Sequence, residues 1–269
     1  MTVGLGKATG RRFPTGAILI TALEVSVAAA IEGATTHARA DAAVVPERVV
    51  AFRAEYRATE IPAGYRPWLH VLITFGGASA ALVACVLMLR DVQPLEWLAV
   101  PATFLYANLV EYLGHRWPMH RPFPLLKLVY RRHAGQHHRF FEHDAMALES
   151  TRDLRVVLFP PVLVIFFFGV FGAPLWWLVS SVLSANVAWL FLATALGYFL
   201  NYEILHTAHH ATPAWQRRLP FLVRLARRHR AHHEVAQMTK RHFNITYPIG
   251  DWLFRTGDER SESRRRDDA

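Results

Sequence analysis

The sequence predicts an all-α integral membrane protein: four transmembrane helices in two hairpins, with a histidine-rich helical cap on the cytoplasmic side. Three observations carry that expectation. Apolar residues make up 52% of the chain against 19% charged, and mean hydropathy is positive at +0.15, so apolar blocks must be segregated from charged ones. The apolar blocks fall in pairs, each pair joined by a short connection. Basic residues and histidines collect after the second and fourth blocks.

Residues 1–14 are polar and basic, and Ala17–Ala30 form a short apolar stretch broken by Glu24. With a charge at its centre and no clear small-residue cleavage site, this stretch reads as an amphipathic or poorly ordered leader, in preference to a signal peptide. Residues 31–66 are polar, alanine-rich and without strong periodicity, so residues 1–60 are set apart as a poorly defined leader to a membrane domain over 61–257. Leu69–Leu89 is 21 residues without a charge, with His70 at its start, and a membrane-spanning helix needs roughly 20. After a tight connection at Arg90–Pro94, Leu95–Leu113 gives a second span, flanked by Glu96 and Glu111. Val156–Phe171 gives a third, which Pro160 and Pro161 should kink. Gly172, Ala173 and Pro174 mark a turn, and Leu175–Tyr202 makes the fourth. Cys85 is the single cysteine; it lies in an apolar run, can form no internal disulfide and reads as a buried structural thiol. Residues 258–269 read as a disordered tail.

Charge sets the orientation. Segment 114–155 carries eight Lys or Arg and segment 205–269 carries thirteen, whereas the turns after spans one and three carry almost none. This bias places the N-terminal region, both basic segments and the C-terminus in the cytoplasm. It also accounts for the net charge of +9 through orientation and anionic lipid headgroups, which removes the argument for nucleic-acid binding.

Thirteen of the 15 histidines lie between His115 and His242, none within a predicted span. They form blocks: His115 and His120; His133, His137 and His138; His206, His209 and His210; His229, His232 and His233. His143 and His242 stand alone. Positions three and four apart share a helix face, so each block presents two or three imidazoles together. Clustered protonated imidazoles would repel, while neutral imidazole is the commonest protein metal ligand. Ten or so ligands are too many for one tetrahedral zinc, so two metals are implied. Neither an HExxH protease motif nor the paired Glu-x-x-His of carboxylate-bridged di-iron bundles is present; only Glu203–His206 has the latter spacing.

The spacings HX4H, HX3HH, HX2HH (or HX3H, from His206 to His210) and HX2HH, with the closing stretch NITYPIGDWLFRTGD, resemble the fatty acid hydroxylase/sterol desaturase superfamily over roughly residues 60–257. That resemblance implies a non-haem di-iron oxygenase. It would use dioxygen and two electrons to hydroxylate or desaturate a membrane lipid: a sterol, fatty acyl chain, sphingolipid or carotenoid. The ligands it implies are His115, His120, His133, His137, His138, His206, His210, His229, His232 and His233, with His209 a ligand or a neighbour. Zinc could replace the two irons on isolation, since imidazole sites hold it more tightly. With no His-Pro-Gly-Gly haem motif in the chain, electrons are expected from a separate cytochrome b5-like or ferredoxin donor.

Asn108–Glu111–His115 and Asn201–Glu203–His206 read as a degenerate repeat, and both glutamates are expected to orient a neighbouring histidine. The alternative class is a non-catalytic zinc-binding membrane protein or zinc transporter. Transport calls for polar ligands at mid-membrane, and spans one and four offer none at their centres.

Overall fold

The computed structural model describes residues 45–211 and 213–257, and all regular structure among them is helical. The expected leader up to residue 44 and the tail over 258–269 lie outside the described residues.

Among the described residues three helices are long and apolar enough to cross a membrane: α2 (Pro67–Leu87), α5 (Thr151–Val182) and α6 (Ala185–Ala211). Large apolar side chains stand exposed on their outer faces, among them Ile73, Val86, Ile165, Trp177 and Val182. On a water-soluble protein such a surface would aggregate; against lipid it is the favourable one. Their inner faces pack together. Ala78 and Cys85 of α2 meet Leu196 of α6, with Leu82, Phe168 and Trp189 around them. Cys85 is buried there as a free thiol.

The stretch expected to be the second span begins with a tight turn over Pro94–Leu98, which Gln93 and Glu96 cap reciprocally, and continues as α3 (Ala99–Gly114). At 16 residues α3 is about 24 Å long, short of the roughly 30 Å hydrocarbon core. The turns at the α2–α3 and α5–α6 junctions meet: Asn186 exchanges two hydrogen bonds with the Arg90 backbone, and Ser184 donates to Glu96 at 2.5 Å. Both junctions therefore lie at one end of the bundle, opposite the histidines.

The turn expected at Gly172–Pro174 does not occur. Gly172 keeps a helical φ of −68° and the helix runs through it to Val182. A widened, π-type turn over Phe168–Gly172 precedes Pro174 and relieves the clash its ring would make with the turn before it. The reversal comes at Leu183–Ser184, where the Ser184 hydroxyl accepts from the Val187 amide at 3.1 Å and so caps α6.

The expected kink at Pro160–Pro161 is a full break at Leu158–Pro160. Each proline pushes the residue before it into an extended conformation, and freed peptide groups need new partners inside the bundle. His70 of α2 donates from Nε2 to the Phe159 carbonyl at 3.0 Å, its Nδ1 accepting from the Tyr65 hydroxyl at 2.9 Å. The Phe159 amide donates to Glu203 of α6 at 3.3 Å.

Around this bundle lies the cap. α1 (Glu47–Thr59) forms in a region expected to be a poorly defined leader. Then come α4 (residues 127–140), α7 (Ala214–Arg218), α8 (Pro220–His232) and α9 (Ile249–Leu253). At 27 residues α6 spans about 40 Å, so its last turns leave the apolar layer and carry histidines into the cap. The closing stretch folds back onto α3. Asp251 accepts from the Phe243 and Asn244 amides, the Thr256 hydroxyl and Arg228. A Cβ on Gly250 would lie 2.7 Å from the Tyr112 side chain, so only glycine allows this approach.

Because Ser184 both caps α6 and bonds Glu96, Ser184→Ala should destabilise the protein by about 1 kcal/mol, the usual worth of such a cap. Thermal unfolding in detergent would show it, and an unchanged midpoint would refute that role.

Candidate metal centre

The histidines enter the cap from four elements, and two of those elements carry an unusual turn. His115 and His120 are five residues apart, as are His133 and His138. In an ordinary α-helix such positions point about 140° apart. Here a π-type turn runs over His115–Met119 and another over Arg131–His137, and its wider pitch brings each pair onto one face. The His115 and His120 rings stack with centroids 5.1 Å apart. The Nε2 atoms of His133 and His138 are 3.0 Å apart.

Two groups result, each with its ligating nitrogens within 4.8 Å of one another: His115, His120, His133, His138 and His232 in group I; His137, His210, His229 and His233 in group II. Every one of these imidazoles is buried. Both halves of the chain serve both groups. His137 leaves its neighbours to join group II, because adjacent helical residues diverge by about 100°, and His232 crosses to group I for the same reason.

Tautomers decide what the groups can do. A carbonyl oxygen only accepts, so a ring nitrogen bonded to one must carry the proton. In group I, His115 Nδ1 donates to Phe243 O at 2.5 Å and His232 Nδ1 to Arg241 O at 2.8 Å. In group II, His137 donates to Val156 O, His210 to Met146 O and His233 to Phe141 O, at 3.2, 2.9 and 2.6 Å. Five imidazoles are thereby left with bare lone pairs on Nε2, and these face other imidazoles. Separations are 2.9 Å for His115–His133, 3.0 Å for His120–His232, 3.1 Å for His229–His210 and 3.2 Å for His229–His233. A single N–H on His229 could serve one of its two neighbours, never both. A cation at the centre of each group would satisfy all of them.

Protonation cannot substitute for that cation. Burial first, and neighbouring imidazoles second, push His115, His133, His137, His138, His229 and His233 well below the ordinary histidine value. Burial also lowers His120, to about 4. The rings are neutral at physiological pH, the form that binds metal.

The remaining candidates lie outside both groups. His206 borders group II, its Nε2 lying 3.2 Å from that of His137. His209 is occupied at both nitrogens, by Ile245 O at 3.2 Å and by the Gln216 side-chain amide at 2.8 Å. His143 is half-exposed beside Asp144. His242 has a left-handed φ of 58° and joins neither group.

Neither glutamate touches the histidine it was expected to orient. Glu111 accepts from the Ile245 and Thr246 amides at 2.5 and 3.0 Å, and from the Thr246 and Tyr198 hydroxyls at 2.6 and 2.5 Å. It holds the loop whose carbonyls hold His115 and His209. Glu203 serves the broken helix α5. Asn108 bonds the Tyr247 carbonyl and Tyr198 hydroxyl, whereas the Asn201 amide nitrogen finds no partner, so the two Asn–Glu–His repeats are not structurally equivalent. The carbonyls that orient the imidazoles escaped sequence reasoning because every residue has one.

Between the groups and the bundle lies a cavity of about 30 Å³. Arg132, His133, His137 and His206 form its polar wall; Met119, Leu158 and Leu163 are among its apolar lining, with Tyr202 beside them.

The fatty acid hydroxylase sequence model matches residues 100–256. The chain belongs to the fatty acid hydroxylase family. That stretch holds every histidine of both groups, while α1 and α2 precede it. A solved structure described as full-length scs7p, with only the hydroxylase domain visible, is similar in fold: TM-score 0.51 and 18% identity, over 71% of this chain and 66% of that one. The match thus spans just under two thirds of that protein's length. No curated protein matches the chain. With three apolar helices of spanning length among the described residues, this member of the fatty acid hydroxylase family is a membrane protein.

The buried neutral imidazoles make stability depend on pH. The unfolded chain, with histidines near 6.5, takes up protons that the folded chain refuses, His120 holding out to about 4. Stability of the metal-free protein is therefore complete above pH 6.5 and is lost as pH falls from there toward 4. Unfolding midpoints in detergent that stay level from pH 7.5 to 4.5 would contradict this.

Proposed function

We propose that the protein is a membrane-bound di-iron lipid hydroxylase that draws electrons from an external cytochrome b5-like or ferredoxin donor. The observation that carries this reading is the pair of buried groups in which carbonyl-pinned imidazoles turn bare Nε2 lone pairs on one another. Imidazole suits iron, and family membership favours hydroxylation over zinc transport.

In this reading His115, His120, His133, His138 and His232 hold one iron. His137, His210, His229 and His233 hold the other, with His206 as a further ligand beside His137. When bound, the two irons would supply dioxygen activation for insertion of an oxygen atom into an unactivated C–H bond. The chain's own residues do the rest. Phe243, Arg241, Val156, Met146 and Phe141 carbonyls fix the tautomers of the rings that face the metals. The cavity beside His133, His137 and His206, lined by Leu158, Phe159 and Pro160 of the α5 break, would bring the end of a hydrocarbon chain beside both groups. His209, saturated by its two partners, supports the 245–246 loop instead of binding metal.

We further propose that α3 crosses with α2 as one hairpin and α6 with α5 as the other, placing the cap and both termini in the cytoplasm. The shared position of the two junctions and the basic residues at the opposite end support this arrangement.

Two outcomes follow. Reconstituted with ferrous iron, a reductant, a competent donor and oxygen, the protein should hold close to two irons per chain and form hydroxylated lipid from a membrane extract. His137→Ala and His232→Ala should each reduce turnover to background while the protein stays membrane-inserted. Iron-loaded protein that forms no oxidised lipid, or that binds only zinc and consumes no oxygen, would refute the assignment. For topology, reporter fusions at Val92 and Leu183 should give a signal opposite to one at Gln136. A shared signal at all three sites would overturn the two-hairpin arrangement.

A further inference from the structure

Helix α1 precedes the stretch that matches the fatty acid hydroxylase family, yet one of its side chains reaches into the support of the histidine groups. Arg53 is 3% exposed. Its Nε donates to Phe140 O at 2.9 Å and a terminal nitrogen donates to Ala145 O at 2.5 Å. The other terminal nitrogen pairs with Glu149. The guanidinium also lies over the Phe140 and Phe141 rings, 5.1 and 5.6 Å from their centroids.

The two carbonyls that Arg53 binds are each one residue before a carbonyl that orients a histidine. Phe141 O, next to Phe140, accepts from His233; Met146 O, next to Ala145, accepts from His210. The Phe141 ring in turn packs on the His210 ring at 4.1 Å. Both histidines belong to group II. In group I the corresponding carbonyls are Phe243 O and Arg241 O, in the closing stretch.

We propose that Arg53 is a positioning residue for group II alone: it fixes the 140–146 loop and thereby the orientation of His210 and His233. This rests on the two groups binding metal, and not on which lipid is oxidised. A guanidinium is suited to the task because its planar fork holds two carbonyls and a carboxylate in one fixed geometry, which a lysine ammonium does not. The rest of α1 anchors the 140–146 loop and the segment that follows it. Arg57 pairs with both oxygens of the buried Asp153 at 2.9 and 2.8 Å, and Asp153 accepts the Glu149 and Ser150 amides. Arg48 reaches Glu142 at the exposed edge, where an ion pair contributes little.

The test is metal retention, read separately for each group. Full-length protein in detergent, loaded with two Co²⁺ per chain, is challenged with a chelator. Loss is followed by metal analysis and by the d–d absorption of the remaining ion. His120→Ala and His229→Ala identify which kinetic phase belongs to group I and which to group II. Arg53→Gln and the milder Arg53→Lys should speed release from group II roughly 10–100-fold, the usual effect of removing an outer support, and change its absorption envelope. Group I should release at the wild-type rate, and that retained phase reports an intact fold. Arg48→Ala should leave both phases unchanged. Equal loss from both groups in Arg53→Lys, or release at the wild-type rate from group II in Arg53→Gln, would overturn the proposal. Wild-type protein that binds no second metal would instead refute the two-metal reading beneath it.

Discussion

A buried imidazole pinned by a carbonyl at one nitrogen can present only a lone pair at the other. Five of the nine grouped histidines are pinned in this way, and the remainder of the cap serves to hold those carbonyls in place. Leaving a polar atom buried without a partner costs roughly 2–7 kcal/mol. Two groups of converging lone pairs are therefore an arrangement that folding alone would not favour. A metal held in each group would reverse the balance and return its binding free energy as stability.

That requirement accounts for features that otherwise look like faults. π-type turns are weak helix, yet they occur at both five-residue histidine spacings, where an α-helix would point the rings apart. Gly250 and Asp251 bring the closing stretch hard against α3, and Glu111 of that helix grips the same stretch at Ile245 and Thr246. Together they set Phe243 O, and through it His115. The glutamate is thus related to its histidine by a loop and a carbonyl, three links instead of one.

Apolar blocks, histidine blocks and the closing NITYPIGDWLF stretch were legible in the sequence because each rests on side-chain chemistry with a fixed spacing. The composition of the two groups was not, since it depends on a 100° step between adjacent residues and on two turns whose pitch no local propensity marks. The expected reversal at Gly172–Pro174 rests on strong local signals, but a widened turn absorbs the proline and the helix continues to Val182. Glu203 was read against His206, its near neighbour in sequence. The broken helix α5 presents an amide with no internal partner, and that need is visible only once the bundle is assembled. Helix α1 gave no periodic signal because its role is carried by three arginines that meet carboxylates and carbonyls about ninety residues away.

The break in α5 connects the bundle to the chemistry proposed for the cap. Two prolines open the helix where the chain passes beneath His137 and His206, and the freed Phe159 peptide is held by His70 from one side and Glu203 from the other. An unbroken helix would close over this position with continuous backbone and side chains. Opened, it leaves a small cavity whose polar wall is made of Arg132, His133 of one group, His137 of the other and His206 beside it. A hydrocarbon chain entering there from the apolar layer would meet both groups at once. In the proposed reaction this geometry favours the cavity as the point of attack, and the buried His70–Phe159–Glu203 clamp satisfies the freed peptide beside it.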